Sequence, residues 1–178
     1  MSYPFNNISG INDDQTIKVV VEIPKNSSHK IEWSRLDGYF VLDRVEPGIF
    51  NKPVNYGFIP QTLDEDGDEL DVLIVTDEPL PFGVVVPRAK VLGVLHFEDS
   101  GDNDHKIICV PADDRHQDHY QSIYDLGSKW QQQIAHHFEH YKDLKEKGTT
   151  KVGDFADAKQ AWQIIKDCHQ RALKNPWW

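Results

Sequence analysis

The sequence predicts a mainly β protein with α-helices, in which a small barrel comes first and two C-terminal helices pack against it. Short β-branched segments separated by turn residues recur up to about residue 112, and this spacing is typical of a small barrel. Near Gly127 the pattern changes to apolar residues at helical intervals, which predicts helices. Because 178 residues fit one domain, we expect a single domain over 1–178.

The barrel segment, about residues 16–112, contains short strands that we expect to be mainly antiparallel. The first ends before Pro24, since the residue before a proline is restricted and proline has no N–H to donate. The fifth is long enough to need a bend near Pro87 and Gly93. The predicted strands are 16–23, 31–33, 39–45, 71–75, 84–97 and 106–110.

Two helices follow, at about 128–147 and 154–173. Ser128 and Gln131 have the spacing of a capping box, and Gly148 is a helix-ending residue. Each helix carries one apolar stripe that can cover the barrel. The first stripe is Trp130, Ile134, Phe138 and Tyr141, and the second is Ala158, Ala161, Trp162, Ile165 and Cys168.

Composition excludes several classes of function. The net charge of −10, from 19 basic and 29 acidic residues, argues against nonspecific nucleic-acid binding, which depends on cations that displace counterions from phosphates. No apolar stretch approaches the roughly 20 residues of a membrane span, and the N-terminus lacks the features of a secretory signal. We therefore expect no membrane partner, a cytoplasmic location, and Cys109 and Cys168 as buried free thiols.

The densest chemical signal is residues 64–71, where six of eight residues are acidic. A tight turn at Gly67 would let Asp66, Asp68 and Asp71 converge at the end of a strand. Two carboxylates 5 Å apart repel by roughly 3 kcal/mol at an effective dielectric near 20, so such a cluster raises its pKa values or recruits cations. Oxygen donors favour Mg²⁺, Mn²⁺ or Ca²⁺. The other acids of the segment, Asp64, Glu65 and Glu69, are expected to face solvent.

A solvated acidic turn is the alternative interpretation of this segment. A calcium-binding EF-hand fails on register, because aligning its glycine with Gly67 puts Thr62 at the first ligand position and Leu73 where a glutamate is required. A second acidic segment, 99–104, lies in an expected hairpin loop just before Lys106. Mixed charges of this kind at strand ends suit a phosphate site bridged by metal ions.

The segment 66–72, Asp-Gly-Asp-Glu-Leu-Asp-Val, resembles the signature of the family I soluble inorganic pyrophosphatases of bacterial type. Further segments resemble that family in the same order along the chain, and the resemblance covers roughly residues 16–173. These segments are 21–24, 30–32, 43–44, 53–58, 99–106 and 140–143.

The resemblance implies a five-stranded OB-type barrel and the hydrolysis of inorganic pyrophosphate to two orthophosphates. It implies several Mg²⁺ ions per site, with Mn²⁺ or Zn²⁺ as supporting metals and Ca²⁺ as an inhibitor. It also implies a homo-oligomer, with a hexamer favoured, and pyrophosphate as the partner rather than nucleic acid.

Residue roles follow from the resemblance position by position. Asp68 matches the general base, which accepts a proton from the attacking water, and Tyr56 and Arg44 join it in the catalytic set. The metal-binding set is Asp66, Asp71, Asp99, Asp104, Glu22 and Glu32. The substrate-binding set is Lys30, Arg44, Tyr56, Lys106, Tyr141 and Lys142.

The charges of these residues predict that activity depends on metal. Seven carboxylates and four cations leave the empty site with three net negative charges, so it should repel pyrophosphate unless divalent cations enter. One position departs from the family pattern: many members have Tyr where this chain has Lys52. We expect Lys52 either to add a phosphate contact or to face solvent.

Three other features remain open at the sequence level. The segment 136–140 has the His-x-x-Glu-His spacing of inverted zinc peptidases, but the only glutamate downstream is Glu146, on the same predicted helix. A polar helix face is the plain alternative, and the resemblance to hexameric members favours His136, His140 and Asp143 at a pH-sensitive subunit interface.

An OB-type oligonucleotide binder is the non-enzyme hypothesis. It would need basic grooves with stacked aromatic residues, whereas the loops of this chain are acidic. The apolar pair Trp177 and Trp178 either docks on the body of the protein or contacts a partner, and docking is favoured.

Overall fold

The computed structural model describes residues 5–175, so the predicted docking of Trp177 and Trp178 lies outside the described residues. The strands are β1 (Ile17–Ile23), β2 (His29–Ser34), β3 (Tyr39–Val45), β4 (Asn55–Phe58), β5 (Asp71–Ile74), β6 (Val85–Asp99), β7 (Asp102–Asn103), β8 (Lys106–Pro111) and β9 (Thr150–Asp157). The helices are α1 (Gly127–His140) and α2 (Ala158–Lys174).

Five strands form a closed ring in the order β1-β4-β5-β8-β6, and β6 pairs back to β1. All neighbours in the ring are antiparallel except β5 and β8, which are parallel. Closure satisfies the backbone hydrogen bonds that an open edge would expose. The ring confirms the predicted five-stranded barrel, while β2 and β3 form a separate hairpin and β7 and β9 extend the sheet from β6.

The ring strands are covered on both faces, which explains their continuous apolar sequence. Side chains alternate along a strand, and in β5 Val72 and Ile74 belong to one core while Leu73 belongs to the other. The first core includes Ile165 and Cys168 of α2, and the second includes Phe138 of α1. The two helices therefore pack against the barrel as predicted, each over a different core.

The predicted first helix is too long. Helix α1 ends at His140, and residues 141–147 form turns in which the Glu146 amide donates to the Lys142 carbonyl at 2.8 Å. Tyr141 is buried just beyond the helix, so the apolar stripe continues past the residue at which the helix ends. The capping box predicted at Ser128 is also wrong, because the N-cap residue of α1 is Leu126 and makes no side-chain capping hydrogen bond. Ser122 and Asp125 instead form a capping box on the short 3₁₀ turn that precedes α1.

The second helix starts later than predicted. Residues 154–157 belong to β9, which pairs with β6, and Asp157 caps α2 by accepting the Gln160 amide at 3.0 Å. Strands β4 and β9 are missing from the sequence prediction, since neither contains a β-branched run. Cys109 and Cys168 are buried free thiols, as expected.

We expect Gly57→Ala to lower the free energy of unfolding by about 3 kcal/mol. Gly57 of β4 lies opposite Val21 of β1, and an added Cβ would sit 1.9 Å from the Val20 carbonyl oxygen, so the ring would have to open locally. Gly48→Ala is the matched control, because an added Cβ there meets nothing within 4 Å. Equal urea midpoints for the two variants would contradict this account of ring packing.

Candidate active site

A cavity of about 420 Å³ lies where β5 and β8 begin and β6 ends, next to the β2–β3 hairpin. Eleven of the thirteen predicted site residues line it, and the exceptions are Arg44 and Lys106. The structure therefore brings together acids and cations that are spread from Glu22 to Lys142 in the sequence.

The parallel pairing of β5 and β8 sets the centre of the site. Val72 lies opposite Ile107, so the preceding residues, Asp71 and Lys106, are neighbours at the same end of the sheet. The Lys106 ammonium is buried and donates hydrogen bonds to Asp71 and Asp104. The Tyr56 hydroxyl also donates to Asp71.

Burial and charge act in opposite directions on the pKa values of Asp71 and Lys106. Burial raises the pKa of Asp71 to about 7, although the charge of Lys106 acts in the opposite direction. Burial also opposes the charge of Lys106, but the charges of Asp104 and Asp71 outweigh it and hold the lysine pKa above its ordinary value. Lys106 therefore stays charged and offsets part of the repulsion between the two carboxylates.

The acidic turn before β5 carries Asp66 and Asp68. Gly67 has a φ of +97°, a conformation that favours glycine, and the Asp68 amide donates to Asp66 Oδ1 at 3.1 Å. Burial raises the pKa of Asp66 to about 6 and also raises the pKa of Asp68, with the charge of Glu32 adding to the latter shift. The tight turn predicted at Gly67 is present.

Two acids of the turn are buried, against the sequence prediction. The Asp64 carboxylate accepts a hydrogen bond from Cys168 Sγ and lies 3.6 Å from Arg171, both on α2. Glu69 accepts from Arg35 Nε at 3.0 Å. These acids tie the turn to its neighbours, whereas Glu65 is exposed as expected.

A second acidic group lies at the end of β6. The Asp99 carboxylate accepts hydrogen bonds from the Tyr141 hydroxyl, at 3.1 Å, and from the Lys142 ammonium. Burial raises the pKa of Asp99, but the hydrogen bonds from Lys142 and Ser100 outweigh it, so the net pKa is below its usual value. The turn after α1 thus supplies two of the predicted substrate-binding residues to this end of the cavity.

The β2–β3 hairpin contributes the opposite wall. Lys30 and Arg44 are register partners, and both contact Asp43, at 3.5 and 2.5 Å. Arg44 also pairs with Glu46, so its guanidinium is held outside the cavity lining.

Glu22 lies deeper, at a bulge of β1, where its Oε1 accepts the Trp33 amide at 2.6 Å. Burial raises its pKa well above the ordinary value, and the charge of Asp71 adds to the effect.

Lys52 is the cavity residue whose role the sequence left open. It does not face solvent, since it is only 8% exposed, and it lines the cavity. Its ammonium lies over the rings of Tyr56 and Tyr141, 4.8 and 4.9 Å from their centroids. In the sequence, its position next to the Pro-Val-Asn-Tyr-Gly segment indicated that Lys52 could lie near the site. No sequence feature indicated that it would be buried.

The histidine segment lies elsewhere, on the surface of α1. Ligand atoms of His136, Glu139 and His140 lie within 4.8 Å of one another, so the three side chains of the motif come together on the helix. None of the three lines the cavity. His140 Nδ1 is 3.0 Å from Asp143 Oδ2, so two of the three residues expected at a subunit interface contact each other within one chain.

Comparison with known proteins assigns the chain to a family. A family model described as inorganic pyrophosphatase matches residues 19–173. The chain belongs to the inorganic pyrophosphatase family. The matched range includes all thirteen predicted site residues.

Relatives of this pyrophosphatase family member match it over nearly its whole length. The inorganic pyrophosphatase of Neisseria meningitidis serogroup A is 56% identical over 174 residues, which cover 96% of this chain and 98% of that protein. The crystal structure of an inorganic pyrophosphatase from Neisseria gonorrhoeae is 53% identical, with a TM-score of 0.92, and the match covers 96% of this chain and 100% of that one. The Thermus thermophilus structure is 40% identical, with a TM-score of 0.86, over 93% and 96% of the two chains.

The same family assignment supports the predicted OB-type character of the ring, since the structural relatives are pyrophosphatases. Within residues 5–175, none of the helices is both long and apolar enough to cross a membrane.

Without divalent metal, Asp66 and Asp71 should each contribute a loss of stability of the fold as the pH rises between about 4 and 7. The pKa values of Asp66 and Asp71 are raised to about 6 and about 7 in the folded protein. Between the ordinary pKa and these values the folded state holds protons that the unfolded chain has lost, so each further rise in pH favours unfolding. The decline should level off above the folded pKa values.

Melting temperatures in EDTA across this range would measure the effect. In Asp71→Asn the decline should be shallower, because one of the two carboxyl groups with a raised pKa is removed. Equal slopes for the wild type and Asp71→Asn would show that Asp71 does not contribute. Addition of Mg²⁺ at pH 8 should raise the wild-type melting temperature, since bound cations stabilise the ionised carboxylates.

Proposed function

We propose that this protein hydrolyses inorganic pyrophosphate to two orthophosphates in a reaction that requires Mg²⁺. The supporting observation is the cavity itself, in which Asp71 and Asp104 share the buried Lys106 ammonium while other acids and cations surround them. This arrangement combines oxygen ligands for hard metal ions with cations for phosphate oxygens. Membership of the pyrophosphatase family supports the same reaction.

The donor set fits magnesium. It consists of carboxylate oxygens, and the pKa values of two of the acids, Asp66 and Asp71, are raised; such groups gain most from a bound cation. Asp66, Asp71 and Asp104 would hold the tightest ion, and Asp71 would also meet a second. Asp99 and Asp104 would bind ions that arrive with substrate, with Glu22 and Glu32 as supports.

Bound Mg²⁺ would neutralise phosphate charge and lower the pKa of a bound water. Mn²⁺ or Zn²⁺ would be supporting metals, and Ca²⁺ an inhibitor.

Asp68 is the proposed general base. Among the described residues its carboxylate accepts no hydrogen bond, in contrast to Asp71 and Asp99. It is therefore free to accept the proton of the attacking water. The water oxygen then forms a bond to one phosphorus, the bond from that phosphorus to the bridging oxygen breaks, and the second orthophosphate leaves with the bridging oxygen.

The cations orient the substrate. Lys30, Lys142 and Tyr141 line the cavity with the acids that they contact, and they would exchange part of these contacts for phosphate oxygens. Tyr56 and Lys106 would act from beside Asp71. The role of Arg44 stays a prediction, because its pairs with Asp43 and Glu46 hold it outside the cavity lining.

Assembly and location also stay predictions. The cytoplasmic location is expected from the sequence, and the family resemblance favours a homo-oligomer, with a hexamer as the expected form. In such an assembly His136, His140 and Asp143 would lie at a pH-sensitive subunit interface. Sedimentation at several pH values would test the oligomeric state and its dependence on pH.

The first measurement is orthophosphate release from pyrophosphate at slightly alkaline pH. We expect rapid release with Mg²⁺, none in EDTA, and suppression when Ca²⁺ replaces Mg²⁺. A pure, folded protein that releases no orthophosphate with Mg²⁺ would contradict the proposed function. Tight metal-free binding of an oligonucleotide would instead support the OB-type binder.

Asp68→Asn should lower kcat by about 10² to 10⁴, the usual contribution of a general base. The amide has nearly the shape of the carboxylate but cannot accept the proton at neutral pH. Mg²⁺ affinity should change little, since Asp68 is not among the proposed ligands. Glu65→Gln is the matched control, because Glu65 is an exposed acid of the same turn with no assigned role. A near-normal kcat in Asp68→Asn would exclude Asp68 as the base.

A further inference from the structure

Lys52 is a buried amine without a counter-ion. It precedes β4 and is only 8% exposed. Within the described residues, its ammonium group forms no ion pair and no hydrogen bond. Burying a charge is costly unless it is paired and hydrogen-bonded, so a lysine in this position lacks the partner that such burial requires.

Lys106 provides the comparison within the same site. It is also buried, but Asp71 and Asp104 both accept its hydrogen bonds. The two lysines differ in pKa accordingly. The pKa of Lys106 is above its ordinary value, whereas burial, together with the charges of Lys106 and Lys30, lowers the pKa of Lys52 to about 7. An anion bound beside Lys52 would favour its charged form.

Three aromatic rings surround the Lys52 ammonium. The ammonium lies 4.8 Å from the ring centroid of Tyr56, 4.9 Å from that of Tyr141 and 5.5 Å from that of Phe138. The hydroxyl groups of the two tyrosines donate to Asp71 and Asp99. Each tyrosine therefore presents its hydroxyl to a carboxylate and its ring face to Lys52, and ring faces attract cations without neutralising them.

This arrangement holds the Lys52 amino group in place and leaves its N–H donors without acceptors among the described residues. The cavity that Lys52 lines also contains Lys30 and Lys142, which contact carboxylates of the protein. An anion that enters the cavity competes with those carboxylates for Lys30 and Lys142, but not for Lys52.

We propose that Lys52 is a further substrate-binding residue, whose ammonium group donates hydrogen bonds to a phosphate oxygen of pyrophosphate on the side of the cavity formed by Tyr56 and Tyr141. The inference rests on the proposed pyrophosphatase function and adds a fifth cation to the predicted site. Since the oxygen it binds is charged before and during the reaction, Lys52 contributes to binding more than to the chemical step.

The test compares Lys52→Met with the wild type. Methionine has a similar length and suits an aromatic pocket, so the variant should fold, with a melting temperature equal to or above that of the metal-free wild type. We expect its KM for pyrophosphate in Mg²⁺ to rise by about 10- to 100-fold, the effect of losing a hydrogen bond to a charged group. We expect kcat to stay within about threefold.

Direct binding gives a second readout. The affinity for methylenediphosphonate, whose P–C–P bridge resists hydrolysis, should weaken by a similar factor when measured by calorimetry in Mg²⁺. Lys52→Arg, which keeps the charge, should recover part of this affinity. Lys90→Met is the matched control, because the Lys90 ammonium donates to the Asp118 carbonyl outside the cavity.

The outcomes separate this inference from the proposed function. Wild-type-like KM and affinity in Lys52→Met, with an active wild type, would overturn the role of Lys52 alone. A lower melting temperature with a fall in kcat and no change in methylenediphosphonate affinity would show a packing role and also overturn it. An inactive wild type would overturn the proposed function and this inference together.

Discussion

The site depends on the buried Lys106 ammonium and the two carboxylates that share it. Asp71 and Asp104 belong to different segments, and each would repel the other in a poorly hydrated position. Lys106 reduces that repulsion without removing it, because burial still raises the pKa of Asp71 to about 7. Under the proposed function, the remaining negative charge would favour the binding of divalent cations at the site, and through them of a polyanion.

The fold places these groups by strand pairing rather than by loops alone. Antiparallel neighbours would bring the start of one strand beside the end of the next, but β5 and β8 run parallel, so Asp71 and Lys106 both stand at strand starts on the same end of the ring. Cores on both faces of these strands hold the pairing in register, since Val72 and Leu73 pack into different clusters. A one-residue slip would exchange the two faces and remove Asp71 from the cavity.

The sequence predicted those parts of the molecule whose signals are local. The acid density of residues 64–71 and the glycine within it indicated a turn of converging carboxylates, and the turn is present. The burial of Asp64 and Glu69 had no local signal, because it depends on Arg171 and Arg35, which are distant in sequence.

The other errors in the sequence prediction also concern features that depend on contacts between distant parts of the chain. The end of α1 was misplaced because Tyr141 keeps the helical apolar spacing while it packs from a turn. Strand β9 was missed because its strand conformation comes from pairing with β6, not from β propensity. Residue roles in the site came from family resemblance, and the unusual environment of Lys52 became visible only when three rings from separate segments met around it.

Strand β6 has a consequence for how the protein folds. It pairs with β1, β7, β8 and β9, and its contact between Ala89 and Ile17 of β1 joins parts of the chain that are far apart in sequence. Such long-range pairings form slowly, because the entropy of closing a large loop is lost before the contacts compensate for it. Until the ring closes, Glu22 on β1 and Asp99 on β6 are not held at one cavity. A partly synthesised or partly refolded chain can therefore carry the acidic residues 64–71 without the assembled site, and the gain of catalytic activity would report the closure of the ring.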